Sequence, residues 1–132
     1  MSKKQQKKDV KKFTRGHIVA LYRGILDLKA GDLKREPFVK YMLLRVDLKA
    51  VFDEFEKARA EFYEQTKPEG WQEGDCTIEW EKMYQPLVAE YLKKETDIDT
   101  RIFTVDECIA LIRSNPEMSG SVGDVIVEMM SK

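Results

Sequence analysis

A single histidine, His17, and two cysteines, Cys76 and Cys108, are all that this 132-residue chain holds of the side chains that dominate metal and nucleophilic sites. One imidazole excludes any site built on two. Two thiols far apart in sequence, without a CxxC spacing, give neither a zinc site nor a disulfide framework, and both are read as free thiols of a reducing compartment. Long apolar runs are missing too. Nothing approaches the roughly 20 apolar residues of a membrane span, and the Lys-rich start is not followed by the apolar region of a signal peptide. A cytoplasmic protein with no membrane partner is expected.

What is present is charge, unevenly laid out. Residues 1–50 carry 14 Lys or Arg against 5 Asp or Glu, and residues 51–132 carry 9 against 19. Such a division favours an anionic partner at the basic end, or pairing of that end with acidic parts of the same or a neighbouring subunit. Residues 1–12 hold Lys3, Lys4, Lys7, Lys8, Lys11 and Lys12 with a single Val. This stretch cannot bury enough apolar area to offset the entropy of ordering, so a mobile basic arm is expected, followed by one helical domain over 13–132.

Helical periodicity dominates the rest. Thr14 can cap a first helix running to about residue 30, with Ile18, Leu21, Tyr22, Ile25 and Leu28 on one face and Gly31 at its exit. Gly24 inside it marks either close approach of a neighbour or simply a weak spot in the helix. Pro37 suits the first turn of a long helix reaching about residue 65. Its seam of Tyr41, Leu44, Leu48, Val51, Phe55, Ala58 and Phe62 recurs at three- and four-residue steps and predicts a helix–helix contact. Phe38, Val39, Met42, Leu43 and Val46 point elsewhere, so two packing surfaces are expected to be buried there, by the first helix and by a third.

After a Gly-containing loop with Trp71, that third helix carries Trp80, Met83, Tyr84, Leu87, Val88, Tyr91 and Leu92 on one face. Pro86 either kinks it or starts a fresh segment. Ile98, Thr100 and Ile102 alternate with polar residues as a short strand or extended linker. Thr104 to Glu107 form a capping box for a short helix over 105–113, and Ser121 can cap a last one. The fold class is therefore mainly α, a long-helix hairpin or bundle with a short extended segment and two short C-terminal helices.

Chemistry is thin. His17 reads as local packing or solvent-facing. Asp53, Glu54, Glu61 and Glu64 could be imagined as a cation or acid–base site, but Lys57 lies four residues from both Asp53 and Glu61, as on an ion-paired, solvated face. Trp71, Trp80 and Tyr84 could line a pocket, although helical spacing favours core. No catalytic residue, metal or cofactor is expected, and the chain reads as non-enzymatic. The basic arm could neutralise phosphates, making a nucleic-acid-associated protein the alternative function, yet it lacks aromatic residues for stacking on bases. Val122, Val125, Ile126, Met129 and Met130 form an apolar stripe at the chain end, the expected interface with a protein partner or a second subunit, with the opposite charge of the two chain ends helping to orient subunits.

The segment Phe38-Val39-Lys40-Tyr41-Met42-Leu43-Leu44-Arg45, opening a long helix that becomes charge-rich through Phe55-Glu56-Lys57-Ala58-Arg59-Ala60-Glu61-Phe62-Tyr63, resembles small uncharacterised helical proteins encoded by tailed bacteriophages and prophages. The likeness covers most of the chain after the arm and departs at Val46, where that pattern carries a polar Asn. It implies an accessory or assembly role in a phage, in the host cytoplasm or the virion. No site residues follow from it.

Overall fold

A computed structural model describes residues 12–70 and 78–132, among which there are five helices and no strand. They are α1 (Arg15–Ile25), α2 (Arg35–Thr66), α3 (Ile78–Leu92), α4 (Val105–Arg113) and α5 (Gly120–Met130). The mainly α class expected from periodicity is thus the observed one.

α1 begins at a capping box. The Thr14 hydroxyl accepts from the His17 amide, and His17 Nδ1 accepts from the Thr14 amide at 3.1 Å. His17, whose ring also meets Phe13 edge-on, is thereby employed in holding the helix start. The helix stops at Ile25, five residues before the expected exit, because its end is seized from other elements. Arg45 donates to the Leu26 carbonyl at 3.1 Å, and the Tyr41 hydroxyl reaches the Ile25 carbonyl at 3.4 Å. A cation at a helix C-terminus also meets the negative end of its dipole. Further on, the Asn115 amide brackets Lys29, accepting from its N–H and donating to its carbonyl, both at 2.7 Å. Gly24 marks no tight approach, since a Cβ there would come only within 3.9 Å of Val122. The closer contact is at Gly16, where a Cβ would lie 3.4 Å from Leu92.

α2 begins two residues before Pro37, which still falls in the first turn, where no intrahelical donor is needed. Tyr41, Leu44, Leu48 and Phe55 are buried, and Val51, Ala58 and Phe62 half-buried, so the seam is deepest in its early part. α1 and α3 both pack on it. α1 packs along it as far as Phe52, whose ring centroid lies 5.1 Å from that of Tyr22, and α3 takes the remainder, with Tyr91 against Phe55 and Phe62. Arg15 N donates to the Lys94 carbonyl, placing the start of α1 against the end of α3. The two helices therefore lie in line along one face of α2, which corrects the expectation that they bury two faces. Pro86 is carried inside an uninterrupted α3 on its exposed side, where the lost donor lies next to solvent.

Residues 98–102 form no strand: Arg101 N donates to Asp99 Oδ1 and Ile102 N to the Thr100 carbonyl, both at 3.0 Å, and the segment is anchored on the end of α5. The Thr100 hydroxyl donates to the Met129 carbonyl, Phe103 N to Met130 O (2.9 Å), and Lys132 N to Phe103 O (2.7 Å). The expected capping box at Thr104 and Glu107 is present in both directions. Ser119, two residues before the expected Ser121, caps α5, because the turn at 114–118 delivers the chain into the helix earlier. The core joins Phe13, α1, the first half of α2, Phe103, α4 and α5.

Candidate interaction surface

The long helix carries two apolar stripes on opposed sides. At about 100° per residue, Val39 and Val46 lie roughly half a turn from the centre of the Tyr41, Leu44 and Leu48 face, with Met42 and Leu43 flanking them. The inner stripe is buried. On the outer one Phe38, Val39 and Met42 are 40–46% exposed, Leu43 is 62% and Val46 66%. Other exposed apolar residues, such as Ile78 and Met83 on α3 or Val105 and Ile109 on α4, occur singly or in pairs, as on ordinary protein surfaces. Five on consecutive turns of one helix do not. The signal was in the sequence as those five residues, which were expected to be inside.

The expected C-terminal partner face is spent within the chain. Ile126 and Met130 are fully buried, Met129 nearly so, and Val122 and Val125 pack against the same core. The interface assigned to these five residues is corrected accordingly: α5 is needed to close the core over α1 and α4, so its apolar side faces inward. Of the basic arm, Lys3, Lys4, Lys7, Lys8 and Lys11 lie outside the described residues. Lys12 is exposed, with its ammonium 3.5 Å from Asp97.

Of the acidic residues of α2, Asp53, Glu56 and Glu64 lie within ion-pair distance of neighbouring cations. Lys49 reaches Asp53 at 2.8 Å, Arg59 reaches Glu56 at 2.8 Å and Lys67 reaches Glu64 at 3.1 Å. Asp53 is thus held from the preceding turn, where the spacing had suggested Lys57 in the following one. Among the described residues no group of three or more His, Cys, Asp or Glu side chains is gathered as a metal site would need. Trp80 is buried between Tyr84, stacked at 4.9 Å, and Tyr63, edge-on at 5.3 Å. These rings close on one another and leave a neighbouring cleft of about 350 Å³ that includes the Glu56–Arg59 pair. Trp71 and Cys76 lie outside the described residues. A second cleft, about 410 Å³, sits beside Asn115, but that amide is used on Lys29 and on the Leu111 carbonyl.

Cys108 is 1% exposed, and burial pushes its thiol pKa up, helped by the neighbouring Glu107 carboxylate and opposed by a hydrogen bond with Ser131. The thiolate is the reactive form, so both access and chemistry keep this group inert in the folded chain. In a Cys76→Ser background, an aromatic disulfide reagent at neutral pH is expected to find no thiol in the native protein and one after denaturation. Rapid native labelling would show that α4 opens readily.

No helix among the described residues is long and apolar enough to cross a membrane. In comparisons with known proteins, no family model, no curated protein and no solved structure matches this chain.

Proposed function

We propose that this chain is a non-enzymatic helical interaction protein whose working surface is the outer stripe of α2. The observation that carries this is the exposure of Leu43 and Val46 on the side turned away from the core. A stripe of this size costs solubility unless something covers it, and a single convex helix face suits another helix laid along it. The resemblance of residues 38–45 and 55–63 to helical phage proteins supports placing the role in phage or prophage assembly, for which flanking head or tail genes are the test.

The interaction itself is tested with a photo-crosslinking side chain at position 43, and with a control at position 61, in the cell of origin. An adduct at 43 that is absent at 61 and lost with Val46→Lys is expected. No adduct at position 43 overturns this function.

A further inference from the structure

We infer that the outer face of α2 pairs with the same face of a second copy, the two helices running antiparallel about a two-fold axis level with the Leu44–Arg45 peptide. This rests on the interaction reading above and names the partner. Val39, Leu43, Val46 and Ala50 follow the four-three-four spacing of a helix-pairing seam, and all four are exposed. About that axis each meets an apolar residue of the other copy: Val39 opposes Ala50, and Leu43 opposes Val46. The seam is therefore complementary to itself, as an isologous contact requires.

Charge selects the direction. In the antiparallel register Lys40 lies beside Asp47 of the second copy, twice per dimer, and both residues are exposed. A parallel, in-register pair would lose that contact and set Arg35 beside Lys40, against which its one gain is Lys49 beside Glu54, so charge favours the antiparallel orientation. Glu36 and Asp53, which approach at the two ends of the antiparallel seam, are each held on their own helix, by Lys40 at 3.7 Å and Lys49 at 2.8 Å. Access is open, because Val39, Leu43, Val46 and Ala50 are exposed and no other element among the described residues covers them. Residues 1–11 offer only Met1 and Val10 as large apolar side chains and make a poor cover for this stripe. One helix pair falls at the small end of specific interfaces, below about 1,200 Å² in total, so the dimer is expected to dissociate at roughly micromolar concentration.

Sedimentation of the full chain across that range, with disulfide trapping in a Cys76→Ser background, tests the assignment. A monomer–dimer equilibrium is expected, weakened about tenfold or more by Leu43→Lys while the thermal melt stays in place. Lys40→Glu and Asp47→Lys should each weaken it about three- to fivefold, and together they should restore it. Val39→Cys and Ala50→Cys should cross-link when mixed and not separately. A strict monomer at about 200 μM, or cross-linking of each cysteine variant with itself, overturns the antiparallel dimer. If the position-43 crosslinker then captures a different protein, the interaction function stands and only the second copy is rejected. If it captures nothing, both fall.

Discussion

Leu48→Asp is expected to leave the chain without a cooperative thermal transition, retaining helical circular dichroism but losing fixed packing. Leu48 is fully buried at the centre of the seam, in the cluster that joins α1, α2, α4 and α5. Removing a buried leucine alone costs about 2–5 kcal/mol, and a carboxylate there would also have to be buried uncompensated or kept protonated. Together these approach the whole stability of a domain of this size, about 5–15 kcal/mol. Leu48→Met, which keeps the volume, should cost less than about 1.5 kcal/mol and shows that the damage comes from charge and lost volume. An unchanged melting temperature for Leu48→Asp would mean that α1 does not pack on α2 at this position.

The inner seam of α2 was legible because burial at 41, 44 and 48 imposes a period that composition alone cannot hide. Both capping boxes were equally legible, at least in position, since Thr14 and Thr104 act within one helical turn of themselves. That His17 supplies the reciprocal acceptor was not foreseen, because the usual residue there is Glu or Gln. The early end of α1 was hidden for a different reason. Leu26 and Leu28 continue the apolar period, and what stops the helix comes from Arg45 and Asn115, far away in sequence. Which apolar faces are inside was the least readable point. Periodicity locates a stripe but does not say what covers it, and two stripes were misassigned in opposite directions. The α5 stripe, read as an interface, closes the core, and the outer α2 stripe, read as core, is open to solvent.

That exchange makes Ile126→Lys the informative counterpart of Leu43→Lys. Ile126 is fully buried, and the helix that carries it also supplies the Met129 and Met130 carbonyls that accept from Thr100 and Phe103. A lysine at 126 would have to bury its ammonium or snorkel past Met129 and Met130, displacing α5 and releasing the segment 98–103 with it. A loss of about 3–5 kcal/mol is expected, read as a fall in the denaturant midpoint with little change in the slope of the transition. Were the α5 stripe an interface, the same substitution would leave the isolated chain as stable as its parent and alter only its association. Leu43→Lys is expected to behave in that second way, with stability held within about 0.5 kcal/mol because its side chain already faces water. Chemical denaturation of both variants below the concentration at which the chain self-associates therefore separates the face that builds the fold from the face left open for a partner.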